Sequence, residues 1–107
     1  SCGNQLMLFR LRGPLSFGAA KGISARMGLV SNYQVLILDT TDVPRMGVTA
    51  ALAVERMVEE AESIGRMVLV AGANERLRKR LINFGVRHIL SKRIEALEIA
   101  RNQLSIN

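Results

Sequence analysis

Two short apolar runs joined through an amphipathic helix constrain this chain more than any other feature. Val35-Leu36-Ile37-Leu38, closed by Asp39, and Met67-Val68-Leu69-Val70-Ala71 are continuous hydrophobic segments of strand length. That is the pattern of parallel strands covered on both faces. Between them, Ala50, Ala53, Val54, Met57, Val58, Ala61 and Ile64 recur at helical spacing from Thr49 to Ile64, with Glu55, Arg56, Glu59, Glu60 and Glu62 off the stripe and Gly65 as the stop. Strand, helix and strand in that order predict a right-handed βαβ crossover with parallel strands.

The flanking segments extend this unit. In Gln5 to Arg12, Met7, Phe9 and Leu11 share one strand face, while Arg10 and Arg12 share the other with Leu6 and Leu8. Gly13-Pro14 reads as a turn and Pro14 to Phe17 as a short second strand, so a hairpin is expected at the opening. Ala20, Ile23 and Met27 mark a short helix over Ala19 to Met27, weakened by Gly22 and stopped by Gly28. Asn74 is placed to cap a helix from Glu75 to Phe84 that turns Leu77, Leu81 and Phe84 inward and ends at Gly85. Val86 to Leu90 is the last strand, and Arg93 to Asn102 a closing helix whose Ile94, Leu97 and Ala100, continued by Leu104, face the sheet. The expectation is one α/β domain over residues 1–107, with a mixed sheet of four to five strands and four helices; residues 1–4 read as a disordered or cloning remnant.

At 107 residues the chain suffices for one core and not for two. Its longest uncharged stretch, Met27 to Leu38, is interrupted by Ser31, Asn32 and Gln34, too short and too polar for the roughly 20 apolar residues of a membrane helix. The first residues carry no basic region followed by an apolar run, so a secretory leader is not expected. Cys2 is the single cysteine, which excludes an internal disulfide and fits a reducing compartment. The net charge of +6 suits an acidic surface or anionic lipid. Nucleic acid is disfavoured, because Phe9, Phe17, Tyr33 and Phe84 do not interleave with a basic cluster to form a stacking platform.

Catalytic chemistry is hard to build from these residues. No phosphate-binding glycine loop is present, and no cofactor is implied. His88 stands without a metal or triad signature. Asp39 and Asp42 lie past a central strand, where Mg²⁺ is conceivable, but Asp-Thr-Thr-Asp reads better as a turn closed by its own side chains. No metal site is expected. The informative loop is Thr41 to Ala50, which brings Gly47, Val48 and Thr49 to the head of the longest helix. An anion or a phosphate on Thr49 would gain roughly 0.3 to 2 kcal/mol there from the helix dipole and free N–H groups, although Thr49 as a plain N-cap residue accounts for the same pattern. Arg76, Arg78, Lys79 and Arg80 crowd the next helix as a basic face, either solvated or fitted to an acidic protein or anionic lipid.

The order of elements, with Arg10-Leu11-Arg12-Gly13-Pro14-Leu15-Ser16-Phe17, Val35 to Asp39 and Val43-Pro44-Arg45-Met46-Gly47-Val48-Thr49-Ala50, resembles the STAS domain. That domain is shared by SulP-family anion transporters and bacterial anti-sigma factor antagonists. The Gly-Pro-Leu-x-Phe opening is more similar to the transporter branch, and Gly13 to Gly22 with Met46 to Val54 look most similar to cyanobacterial sodium-dependent bicarbonate transporters. The resemblance implies a regulatory and assembly domain on the cytoplasmic side of the membrane, without a reaction of its own. It implies a transmembrane domain of the same polypeptide as partner, with a second copy of the domain and a regulatory protein as further candidates. In the antagonists the matching loop bears a phosphorylated serine, and Thr49 falls on it. Gly47, Val48 and Ala50 depart from that motif where it has aspartate, serine and glycine. A free antagonist switched at Thr49, and a module binding nucleotide or phosphate at Thr49 and near Arg76, are the competing expectations.

Overall fold

A computed structural model of the chain describes residues 5–28 and 32–106; the expectations for residues 1–4, Cys2 included, lie outside them. The elements are β1 (Leu6–Arg12), α1 (Phe17–Gly28), β2 (Val35–Asp42), α2 (Val48–Ser63), β3 (Met67–Ala71), α3 (Glu75–Asn83), β4 (Ile89–Leu90) and α4 (Arg93–Ile106). The strands form one sheet in the order β1-β2-β3-β4, and every pairing is parallel. The α/β class, the strand and helix numbers and the central βαβ unit thus agree with the sequence reading.

Sequential order and right-handed crossovers together decide where the helices lie. Each crossover steps one strand in the same direction, so α1, α2 and α3 fall on one face. Strand alternation then sorts the apolar side chains. Leu36, Leu38, Val68 and Val70 pack with Ala20, Ile23, Val54, Met57 and Leu77 on the three-helix side. Val35, Ile37, Leu69 and Ala71 pack under Ala96, Ala100 and Leu104 of α4 on the other. This is why both central strands read as unbroken hydrophobic runs: over Val35–Leu38 and Val68–Ala71 neither face meets water. Full burial of each such side chain contributes about 1.5 to 3 kcal/mol.

The opening hairpin does not form. Gly13 turns the chain at φ +73°, but its N–H donates to the Asp42 carbonyl at 2.9 Å and the Leu15 N–H to the Arg45 carbonyl at 3.1 Å. The backbone therefore runs alongside the exit of β2, Leu15 bridges Met46 in parallel, and the helix begins at once at Phe17. Among the described residues the antiparallel member expected of a mixed sheet is accordingly absent. β2 runs on to Asp42, opposite a bulge between Arg10 and Arg12, while β4 keeps only Ile89 and Leu90 of the expected five residues. In α4 the buried stripe is Ala96, Ala100 and Leu104, with Leu97 partly covered; Ile94, expected inward, is 57% exposed. Two residues before Ala96, it lies about 200° around the helix from it and so turns away from the sheet that Ala96 and Ala100 touch.

Glycine decides two features. Gly65 and Gly85 stop α2 and α3 with positive φ, as the sequence suggested. Gly72 was not singled out. It has φ +76°, and a Cβ there would sit 3.1 Å from Thr41 Cα, so β3 leaves the sheet tight against the end of β2 only because position 72 lacks a side chain. Gly72→Ala is expected to destabilise the chain by about 1 to 3 kcal/mol. Leu36→Ala, at the fully buried centre, should cost about 2 to 5 kcal/mol. Urea denaturation followed by circular dichroism measures both, and a Gly72→Ala midpoint equal to wild type would contradict the close approach.

Candidate functional site

The carboxyl ends of β2 and β3 and the starts of α2 and α3 meet at one end of the sheet, where α/β folds usually place ligands. Because the strand order never reverses among the described residues, the sheet has no switch point at which two loops splay apart into a nucleotide crevice. What stands there is a tightly hydrogen-bonded end.

Asp39 organises it. Its side chain is almost wholly buried, and Oδ1 accepts from the Thr41 N–H at 3.0 Å and the Thr41 hydroxyl at 2.6 Å. Oδ2 faces Arg93 Nη1 at 3.4 Å and Arg10 Nε at 4.0 Å. Burial pushes the carboxyl up, but the two bonds from Thr41 and the nearby Arg93 and Arg10 charges outweigh it, and the pKa falls below its ordinary 3.8. Asp39 and Thr41 make the local side-chain bonds foreseen for a turn, but Asp-Thr-Thr-Asp is not one: the segment stays in β2 through Asp42. Both Asp39 oxygens are committed to protein, Asp42 is exposed, and among the described residues no group of three or more His, Cys, Asp or Glu is placed to hold a metal ion. Thr40 is buried beside it and donates its hydroxyl to the Ala71 carbonyl at 2.9 Å, tying the exits of β2 and β3.

The loop that follows is anchored from both sides. Asn74 does cap α3, its Oδ1 accepting from the Leu77 N–H at 2.9 Å, while its Nδ2 donates to the Pro44 carbonyl at 3.1 Å. The loop therefore links the starts of α2 and α3. Thr49 is exposed in the first turn of α2, but it is not the N-cap: Gly47 is, in extended conformation and without a side-chain hydrogen bond. The helix starts one residue earlier than expected because the Gly47 carbonyl already accepts from the Ala51 N–H at 2.9 Å. No acidic residue lies in this first turn, so the positive end of the helix dipole has no side-chain counterpart. Val48 beside it is 56% exposed.

The basic residues stay apart from Asp39. Arg76, Arg78 and Lys79 are exposed and Arg80 half-buried on α3, with Arg78 facing Glu75 at 3.8 Å. On α2, burial raises the Glu55 pKa, helped by a hydrogen bond and charge repulsion from Glu59 and opposed by Arg56. These glutamates line a shallow groove of about 410 Å³ with Glu62, Val86 and Arg87. A second groove, of about 780 Å³, runs between Leu6 of β1 and Ile94, Leu97, Glu98 and Arg101 of α4; a third, of about 290 Å³, is lined by Tyr33, Met57 and Arg66. His88 is exposed at the β4 edge. No nucleophile, base and orienting group come together among the residues singled out from sequence.

The STAS domain family model matches residues 3–100. The chain belongs to this family. Over 77 residues it is 40% identical to the bicarbonate transporter BicA of Synechocystis sp., an alignment that takes in 72% of this chain and 14% of the transporter. The chain thus spans about a seventh of the length of that curated relative. Among solved structures it superposes on the SulP transporter STAS domain of Vibrio cholerae with TM-score 0.83 at 28% identity, covering 96% of this chain and 86% of the other. The anti-sigma factor antagonist SpoIIAA shares the fold, at TM-score 0.77 and 17% identity over 92% of this chain and 90% of the antagonist. The sequence relatives place the domain with the SulP-transporter branch. Among the described residues no helix is long and apolar enough to cross a membrane.

The contacts of Asp39 with Arg10 and Arg93 were invisible beforehand. Arg93 is 54 residues away in sequence, and only the strand register, Arg10 opposite Asp39, brings the other arginine near. A carboxyl with a lowered pKa stabilises the fold above its ordinary value, and that contribution is lost as pH falls through the folded pKa. Asp39→Asn should therefore cost about 1 kcal/mol or more at neutral pH, and the gap to wild type should close below about pH 3.8. Denaturant midpoints measured across that range check it; a gap that persists undiminished in acid would show that the charge is not what stabilises this end.

Proposed function

We propose that the chain is the cytoplasmic regulatory and assembly domain of a SulP-type anion transporter, with bicarbonate as the transported ion, and that it carries out no reaction itself. The observation that carries this reading is the 40% identity to BicA in a domain whose polar end is spent on holding strands together. Asp39, Thr40, Thr41 and Asn74 all bond within the protein, so the end at which α/β folds usually take ligands is a structural joint here. What remains for function is surface. The natural partner is the transmembrane domain of the same polypeptide, with a second copy of the domain and a regulatory protein as further partners.

A domain exchange tests the proposal. Replacing the STAS domain of Synechocystis BicA with this chain should keep at least about half of the bicarbonate uptake per transporter in the membrane, whereas deleting the domain should lower uptake or membrane abundance several-fold. Uptake and abundance as low as in the deletion would overturn the reading.

One observation favours a second reading. Thr49 is exposed in an uncapped first helical turn, where a phosphate would meet the positive end of the helix dipole. A phosphorylation switch at Thr49, as in an antagonist, and a phosphate-bearing effector at the same helix start both draw on this. Incubation with an anti-sigma kinase should then label wild type and leave Thr49→Ala unlabelled; absence of label on wild type removes the switch.

A further inference from the structure

The stretch from Arg76 to Arg93 contains seven of the chain's 15 Lys and Arg residues and no Asp or Glu. In the fold it runs over α3, the edge strand β4 and the first residue of α4, at the β4 end of the sheet. Three of its cations face carboxylates, Arg78 with Glu75 at 3.8 Å, Arg87 with Glu62 at 3.6 Å and Arg93 with Asp39 at 3.4 Å. The Arg76, Lys79 and Arg80 side chains and the Lys92 ammonium have no carboxylate partner among the described residues, although the Lys92 backbone N–H donates to Glu95 Oε1 at 3.0 Å. Arg76, Lys79 and Lys92 are exposed, and Ile82, one turn beyond Arg78 and Lys79, is 45% exposed beside them.

The neighbouring helix has the opposite sign. α2 carries Glu55, Glu59, Glu60 and Glu62 against a single Arg56, and it lies next to α3 on the same face of the sheet. A negatively charged plane is therefore attracted to the α3–β4 side and repelled by α2, so the charge pattern sets an orientation as well as an attraction.

We infer that the α3–β4 border docks onto the anionic phospholipid headgroups of a bilayer, with Arg76, Lys79 and Lys92 at the headgroups and Ile82 entering the interface. The cations are spread over a helix, a loop and a second helix start, and Arg76, Arg78, Lys79, Arg80 and Lys92 line none of the three grooves. That spread suits a flat partner better than an inserted peptide. β4 has two residues, too few unpaired backbone groups for an added strand. The one aromatic residue of the stretch, Phe84, is partly buried in the core, so there is no platform for stacking bases. Ile82 adds one exposed apolar side chain to the cationic face of α3, whose own apolar stripe, Leu77 and Leu81, is buried in the core. The inference rests on the proposed transporter role only in that a membrane then lies beside the domain.

Vesicle co-sedimentation of the 107-residue chain tests it. The chain should bind saturably to phosphatidylcholine vesicles containing phosphatidylglycerol, fail to bind pure phosphatidylcholine, and weaken steeply as salt shortens the screening length to about 8 Å. The triple variant Arg76→Glu, Lys79→Glu, Lys92→Glu should lose tenfold or more in affinity. A charge-matched variant at the opposite border, Arg12→Glu, Lys21→Glu, Arg26→Glu, should stay within about twofold of wild type. Equal loss in both variants would reduce the effect to net charge, and binding to polyglutamate or single-stranded DNA as tight as to the anionic vesicles would give the border to another partner; either overturns the inference. The chain has no tryptophan, so Ile82→Trp supplies a readout independent of the triple variant's folding. Its fluorescence should shift to the blue with phosphatidylglycerol vesicles and not with phosphatidylcholine, and an unshifted spectrum on sedimenting protein would refute the assigned contact. Failure here leaves the domain-exchange result intact, and failure of the exchange leaves vesicle binding intact.

Discussion

The burial of β2 from both sides is the constraint on which the molecule depends. Val35, Leu36, Ile37 and Leu38 are all at most 1% exposed, with alternate side chains in separate cores. A strand with no wet face needs helices above and below and paired strands on either side. Given sequential right-handed crossovers, three helices take one face, and the chain's last helix has to return across the other. The register of β1 and β3 against β2 then places Arg10, Asp39 and Ala71 in one row at the end of the sheet, where the polar joint is built.

That joint explains why a fold with a customary ligand end offers so little chemistry there. Beyond Leu38, alternation would put another apolar residue beneath α4, and the chain has Asp39. A buried carboxylate is tolerable only with donors and charge around it, and Thr41, Arg10 and Arg93 supply both. The strands leave the sheet held by Thr40, Thr41 and Asn74 and packed so closely that Gly72 has to lack a side chain. A nucleotide would have to displace these bonds. What stays exposed around this end is the start of α2 and the charged side chains of α3.

The charge is sorted by element. Acidic α2 lies between α1, with Lys21 and Arg26, and α3, with its four cations. The net +6 is thus a poor description of the surface, since a partner meets either a strongly basic border or an acidic helical ridge. At separations beyond about 8 to 10 Å in physiological salt these regions act independently, so one small domain presents surfaces of opposite sign.

The strands Val35–Leu38 and Met67–Ala71, the α2 stripe, the Asn74 cap and the glycine stops at Gly65 and Gly85 were legible because each depends on neighbours within one or two helical turns or on simple alternation. The short-range signals failed at Pro14 to Phe17, read as a hairpin arm, since β2's exit competed for the same backbone hydrogen bonds. They failed at Ile94, spaced to fit Leu97 but turned away from the face that Ala96 and Ala100 bury, and at Thr49, displaced as cap by Gly47. The chain's own sequence determined its class, its parallel βαβ centre and its charge segregation, because hydrophobic period and residue type act locally. Only tertiary structure decided the Asp39 joint, the close approach at Gly72 and the exposed first turn of α2, because each needs strand register and helix placement to bring together residues that lie far apart along the chain.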